Sequence, residues 1–138
     1  MDYEDHKVPV RLKLAALWAA LMFLYIYADF FGLFRPGQLG DMNRGIIHPF
    51  GPATPALMLG VSLMMALPSL MVFAPLVMPP AVTRWANVVL GLVYGAIIIL
   101  TMIGAPLFYL FFGVIEVALS ALIVRYAWTW PRTAQAAP

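Results

Sequence analysis

Two carboxylates, Asp29 and Glu116, lie inside segments that otherwise have the composition of lipid-soluble helices. Asp29 falls in the apolar stretch 12–34 and Glu116 in the stretch 107–128, while residues 45–83 and 85–115 contain no Lys, Arg, Asp or Glu at all. A carboxylate at the bilayer centre costs about 2.5–3.5 kcal/mol on insertion scales, so it has to face protein or water and be partnered or protonated. Such an acid is what a proton relay or a cation site requires.

Polar and small residues accompany the acids at steps of three and four, which places them on one face of each helix. Lipid offers such side chains no hydrogen-bond partner, so the polar faces of the predicted helices should meet inside a bundle. In the second apolar segment this face holds Ser62 and Ser69. The sequence thus predicts an intramembrane polar cavity, open toward the outside and built from Tyr25, Asp29, Tyr94, Thr101, Tyr109 and Glu116.

The two acids also have a purely structural interpretation, which the sequence leaves open. Asp29 can hydrogen-bond to Tyr109 or Thr101, or pair with an arginine that folds back from the following loop. A protonated Glu116 can bond to Tyr94 or to Asn87. In either case the acids would lock helices together instead of handling a ligand.

Residues 35–52 form the one substantial loop, and their four glycines and three prolines argue against a regular helix there. We expect Asp41, Arg44 and His48 to close over the outer mouth of the cavity. His48 and the two intramembrane acids would make a ligand set that divalent metals accept. Nothing in the spacing requires that set, so no metal site is predicted, and the sequence identifies no cofactor.

At the other side of the membrane, Arg84 and Asn87 begin the third apolar segment, where Arg84 is expected to anchor to lipid headgroups. Gly91 and Gly95 follow as a small-xxx-small pair. Besides the bilayer itself, the expected partners are a second copy, through these glycines or the outer loop, or an unidentified membrane protein.

The composition is that of a membrane protein. The 138 residues are 64% hydrophobic and 10% charged, with a mean hydropathy of +0.92, whereas soluble domains carry about 25% charged residues. The chain has no cysteine, which excludes disulfides, Cys-based metal sites and thiol nucleophiles. It has no basic runs interleaved with aromatic residues, which argues against nucleic-acid binding. No nucleophile elbow, phosphate loop or HExxH pattern is present, so we do not expect an enzyme.

The apolar segments predict an all-α, antiparallel four-helix transmembrane bundle. Its helices cover about 12–34, 53–78, 82–103 and 107–128 within a membrane domain at 12–130. A polar tail at 1–11 precedes this domain, and a flexible tail at 131–138 follows it. Pro68 and Pro75 should kink the second helix, which is tolerated where a neighbour satisfies the freed carbonyl.

The positions of the basic residues predict the orientation, because cytoplasmic loops are enriched in Lys and Arg. With both termini in the cytoplasm, two basic residues, Arg35 and Arg44, lie outside. The six on the inner side are Lys7, Arg11, Lys13, Arg84, Arg125 and Arg132. We therefore expect a multi-pass protein of a bacterial inner (plasma) membrane with both termini inside.

Several short motifs can be read together: YAD at 27–29, PG at 36–37, RWAN at 84–87, IEV at 115–117 and YAWTW at 126–130. In these the chain resembles an uncharacterised bacterial family of small membrane proteins with a domain of unknown function. The resemblance covers the chain from the first helix to the final tryptophans. It implies a four-helix membrane protein with Asp29, Asn87 and Glu116 at motif positions, and it supplies no activity.

The function that these observations favour is a small carrier or channel component whose carboxylates handle protons, a cation or a small amphiphile. Proton binding and release by Glu116 would gate or couple the step. The alternative is a non-transporting accessory or scaffold subunit, in which the acids lock the helices or dock a partner.

Overall fold

The computed structural model describes residues 3–132, so Met1, Asp2 and most of the predicted flexible tail lie outside the described residues. The chain is mostly helical, with one very short hairpin. In chain order its elements are α1 (Val10–Gly32), α2 (Gln38–Asn43), β1 (Ile46–Ile47), β2 (Gly51–Pro52), α3 (Pro55–Leu70), α4 (Ala74–Val77), α5 (Pro80–Met102) and α6 (Leu107–Trp128).

Within residues 3–132, three helices, α1, α5 and α6, are long and apolar enough to cross a membrane. With 22 or 23 residues each, they extend about 33–35 Å at ~1.5 Å per residue. Each starts directly after a proline, namely Pro9, Pro79 or Pro106. Proline suits this position because the first amides of a helix have no intrahelical partner to lose.

The second predicted helix, 53–78, is divided, and the expected count of four spanning helices is not reached. It forms α3 and the single turn α4, separated by turns at 71–73. Pro75, at the start of α4, has no amide hydrogen for the Met71 carbonyl at the break, whereas α3 continues through Pro68 to Leu70. At 16 residues, α3 extends about 24 Å, less than a hydrocarbon core of about 30 Å.

A neighbouring helix satisfies one carbonyl that the prolines release. Pro68 cannot donate to the Met64 carbonyl, and the Tyr94 hydroxyl of α5 donates to that oxygen instead. This bond ties α3 to α5 at the point where the helix ladder of α3 is interrupted. The loss of one backbone bond thereby creates a specific contact between two helices.

The serines of the polar face predicted for the second segment bond mainly within α3. Ser62 and Ser69 are exposed, and their hydroxyls donate to the Met58 and Met65 carbonyls of α3 itself, at 2.7 and 2.8 Å. A serine that bonds the carbonyl four residues earlier needs no partner helix, which explains why the exposed hydroxyls are tolerated. Ser69 Oγ also lies 3.8 Å from Met22 Sδ, so this part of the predicted face does meet α1.

The core of the bundle is formed where α6 packs against both α1 and α5. Gly91 of α5 permits close contact with α6, since a Cβ there would lie 2.8 Å from Val124 Cγ2. Gly95 also faces α6, next to Ser120. The glycine pair is therefore covered within the chain, and it does not offer the dimer face that its spacing suggests.

The 35–52 loop contains regular structure that its composition argues against. The six-residue α2 forms despite Gly40, and β1 pairs with β2 in antiparallel register, Ile46 opposite Pro52 and Ile47 opposite Gly51. Gly45 and Gly51 have φ of +70° and +96°, values that residues with a Cβ rarely adopt. The glycines thus permit the tight turns of a folded cap instead of an irregular loop.

Candidate functional site

The two ends of the bundle differ in how they are filled. We call the end where α1 and α5 begin and α6 finishes the closed end, and the end where α1 and α5 finish and α6 begins the open end. A cavity of about 650 Å³ occupies the open end, between α1, α3, α5, α6 and the loop cap. The six residues predicted from the sequence all line it: Tyr25, Asp29, Tyr94, Thr101, Tyr109 and Glu116.

Glu116 is the most deeply placed acid of the cavity. Its side chain is only 4% exposed, and its Oε1 atom is buried without a hydrogen-bond partner among the described residues. A buried carboxylate oxygen without a partner is expensive, and the cost is greater where the surroundings are lipid. Glu116 is therefore the candidate group of this cavity for binding a proton or a ligand.

Two further buried polar atoms near Glu116 also lack partners within residues 3–132. They are the Tyr25 hydroxyl of α1 and Ser120 Oγ, which lies one helical turn beyond Glu116 on α6. Tyr25 also interacts electrostatically with Glu116, Tyr94 and Tyr109, so these side chains form one group. The polar atoms without partners are therefore concentrated around the acid.

Asp29 lies on the same cavity but in a more exposed position. It is close enough to Glu116 for their charges to interact. Its carboxylate makes no hydrogen bond to another described residue, and the Thr101 hydroxyl donates to the Ile98 carbonyl instead, at 2.8 Å. Arg44, one of the arginines considered as its partner, pairs with Asp41. None of the structural bonds considered for Asp29 is formed within the part of the chain that the structure describes.

The residues considered as structural partners of Glu116 are engaged elsewhere. Asn87 is fully buried at the closed end, where its Oδ1 accepts from Trp18 Nε1 at 2.7 Å and its Nδ2 donates to the Thr83 carbonyl at 2.7 Å. The Trp18 ring also packs edge-on against Tyr94, with 6.0 Å between centroids. Trp18, Asn87 and Tyr94 thus separate the cavity from the closed end.

Of the three predicted cap residues, only His48 lines the cavity. His48 Nε2 lies 2.7 Å from Asp41, and Arg44 contacts the other carboxylate oxygen of Asp41. The hydrogen bond from His48, followed by that from Arg44, holds the pKa of Asp41 below its usual value. Asp41 therefore holds the cap together through its contacts with His48 and Arg44, while His48 also lines the cavity.

Arg84, the expected headgroup anchor, forms its described bonds within the chain. Its guanidinium donates to the Ala127 and Trp128 carbonyls at 3.3 Å and lies 5.3 and 5.5 Å from the Trp85 and Trp128 ring centres. Carbonyls at the end of a helix have no intrahelical donor, so Arg84 caps α6.

Sequence reasoning missed the comparable role of Arg11. Arg11 Nη1 donates to the Pro75 and Met78 carbonyls, both at 2.8 Å, and so joins the start of α1 to α4. The available signal was an arginine at the start of a helix combined with a proline-rich segment, whose carbonyls lack amide partners. Sequence reasoning also left out Gln38, which lines the mouth of the cavity beside Arg35.

No group of three His, Asp or Glu residues within 3–132 is arranged to hold a metal ion. The combination of His48 with both intramembrane acids therefore does not form a ligand set. What the site does offer is two carboxylates and three tyrosines in a cavity whose remaining wall is largely apolar.

The chain was compared with known protein families, with curated proteins and with solved structures. Residues 2–137 match a family of unknown function, DUF6326. The chain belongs to this family. The match covers every element described above, and membership of DUF6326 assigns no activity to the cavity. No match to the chain was found among the curated proteins or the solved structures.

Proposed function

We propose that the protein is a small carrier or channel component in which Glu116 and Asp29 handle protons or a cation inside the membrane. The observation that carries this proposal is the buried Oε1 atom of Glu116, which has no hydrogen-bond partner in residues 3–132 and belongs to a residue lining the cavity. Retaining an unpaired intramembrane acid is costly, and exchange of a proton or cation is a use that offsets the cost. The role proposed is binding and transport rather than catalysis.

The proposed orientation places both termini in the cytoplasm of a bacterial inner membrane. The closed end carries Arg11, Lys13 and Arg84, with Lys13 Nζ 5.1 Å from the Tyr126 ring centre. A basic, aromatic-rich end is typical of the cytoplasmic interface. The cavity would then open to the outside.

Proteoliposome assays test the carrier function directly. Purified protein is reconstituted, and proton or cation flux is followed with an internal fluorescent indicator. We expect Glu116→Gln to abolish flux, because the amide keeps the size of the side chain but cannot exchange a proton at neutral pH. Glu4→Gln is the matched control, because Glu4 is an exposed acid of the N-terminal tail. Equal flux in Glu116→Gln and the unaltered protein would refute the proposal.

The fully buried Trp18, hydrogen-bonded to Asn87, favours a second candidate function. Such packing between the cavity and the closed end suits a non-transporting accessory subunit that binds its ligand or partner from one side. In that case the reconstituted protein gives no flux with any ion tested. Glu116→Gln would instead change recovery of a membrane partner or the melting temperature.

A further inference from the structure

We infer that the ligand of the open-end cavity is a lipophilic organic cation: one positive centre on a hydrophobic body of drug-like size. This inference rests on the proposed ligand-binding role of the cavity, and it narrows "proton or cation" to one chemical class. Three properties of the cavity support this inference: its charge, its aromatic groups and its apolar wall.

The charge of the cavity favours a cation deep inside. Glu116 and Asp29 both line it, and Glu116 is only 4% exposed. Among the residues lining the cavity, the fixed positive charge is Arg35, which follows the C-terminal end of α1 at the mouth. An anion would therefore meet like charge at the inner end, whereas a cation supplies the partner that Glu116 Oε1 lacks.

The aromatic residues around Glu116 favour an organic cation. Tyr25, Tyr94 and Tyr109 line the cavity. Tyr25 is close enough to Glu116 and to the other two tyrosines for electrostatic interaction. The faces of tyrosine rings attract cations, and several rings together recognise quaternary ammonium groups. A site with rings and a carboxylate can thus hold a positive centre that has no hydrogen-bond donor.

The apolar wall argues against a metal ion. The apolar part of the lining comes from Val61, Met64 and Met65 of α3 and from Ile97 and Ile98 of α5. A hard cation requires about six oxygen ligands, which this wall does not provide. A hydrophobic body would instead be buried against it, and methionines adapt to varied shapes. The volume of about 650 Å³ falls within the ~300–1,000 Å³ of small-molecule sites.

Tetraphenylphosphonium and tetraphenylborate test this inference, because the two ions have nearly the same size and shape and opposite charge. Equilibrium binding of labelled tetraphenylphosphonium is measured on the full chain in nanodiscs, with empty nanodiscs subtracted. We expect saturable binding at one site per chain that excess unlabelled tetraphenylphosphonium displaces. Labelled tetraphenylborate is measured in a separate sample, because the two ions form an insoluble salt when mixed, and it should show no saturable binding. Saturable binding of tetraphenylborate, or the absence of saturable tetraphenylphosphonium binding, would overturn the inference.

Variants connect the binding to the site. Glu116→Gln is expected to weaken tetraphenylphosphonium binding at least tenfold, and Asp29→Asn is expected to weaken it less, because Asp29 is more exposed. Glu4→Gln should bind as the unaltered protein does. If Glu116→Gln does not purify as a folded protein, two other variants take its place. These are Asp29→Asn and Val61→Trp, of which the second fills the cavity, and both should weaken tetraphenylphosphonium binding. Unchanged affinity in the folded cavity variants would contradict the inference.

The flux assay separates this inference from the function on which it rests. Glu116-dependent proton flux without tetraphenylphosphonium binding would overturn the ligand class and leave the carrier function in place. Charge-selective binding that depends on Glu116, but without flux of protons or of tetraphenylphosphonium, would support the ligand class and overturn transport.

Discussion

At the closed end, the buried amide of Asn87 is bonded to Trp18 and Thr83, whereas at the open end the buried Glu116 and Tyr25 each have a polar atom without a partner in residues 3–132. The same helices, α1, α5 and α6, pass through both ends. Unsatisfied buried polar groups cost about 1–3 kcal/mol each. The closed end therefore stabilises the folded protein, whereas the unpaired groups at the open end lower its free energy of unfolding. This contrast indicates which end is shaped by folding and which by function.

The largest effect is expected from Trp18→Ala at the closed end. Trp18 is fully buried and bonds to Asn87, so its removal leaves a cavity and an unpaired amide. We expect the free energy of unfolding in detergent to fall by about 3–5 kcal/mol. Trp85→Ala is the control, since Trp85 is 53% exposed and should cost less than about 1 kcal/mol. Similar losses in both variants would remove the distinction between packed and peripheral tryptophans.

Gly91→Ala tests how closely α5 and α6 are packed. The added methyl would lie 2.8 Å from Val124 Cγ2 and 3.3 Å from Ile123 Cγ2, so the helices must move apart. We expect a loss of about 1–3 kcal/mol in unfolding experiments. Gly60→Ala on α3, where no atom lies within 4 Å of the added methyl, should instead be neutral or stabilise by up to about 1 kcal/mol. A neutral Gly91→Ala would show that this interface is loose.

A pair of tyrosine variants compares a bonded with an unbonded hydroxyl of the cavity wall, because each variant removes one hydroxyl. Tyr94→Phe loses the bond to the Met64 carbonyl and should destabilise by about 1 kcal/mol, while Tyr25→Phe removes a hydroxyl without a described partner and should be neutral or stabilise slightly. Thermal melting of both variants measures the difference. If Tyr25→Phe is the more destabilising of the two, the open end is held together by its polar groups.

The smallest effect concerns the cap and depends on pH. Because the bond from His48, and then that from Arg44, lowers the pKa of Asp41 in the folded protein, the ionised carboxylate stabilises the cap above the usual pKa of an aspartate. This contribution is lost as the pH falls through the lowered pKa. Titration of the Asp41 carboxyl carbon by NMR should give a midpoint below the usual aspartate value, and His48→Ala should raise it. A midpoint unaffected by that change would mean that His48 does not hold the cap.

Sequence periodicity was sufficient to identify α1, α5 and α6, because long apolar stretches have few alternatives to a spanning helix. It failed between residues 53 and 78, where the position of a break depends on which carbonyls Pro68 and Pro75 release and on which neighbours bond to them. Tyr94 bonds the Met64 carbonyl from 30 residues away, and Arg11 bonds the Pro75 and Met78 carbonyls from 64 and 67 residues away. A local pattern does not contain that information.

The candidate site shows the same division. Charge and spacing were enough to select Glu116 and the tyrosines, since few polar residues occur in the apolar segments. They could not establish that Asn87 is hydrogen-bonded to Trp18, or that Gly91 packs against α6. Both contacts depend on how the helices are rotated against each other. Rotation is set by side-chain packing, which spacing alone does not fix.

The packing of α1 against α6 has a consequence for biosynthesis. α1 packs most extensively against α6, and residues 33–106 must be translated between these two helices. At about 5–20 residues per second, several seconds pass between the synthesis of α1 and that of α6. During that interval the face of α1 that packs against α6 lacks its partner, and a pause in translation before residue 107 would prolong this stage of assembly.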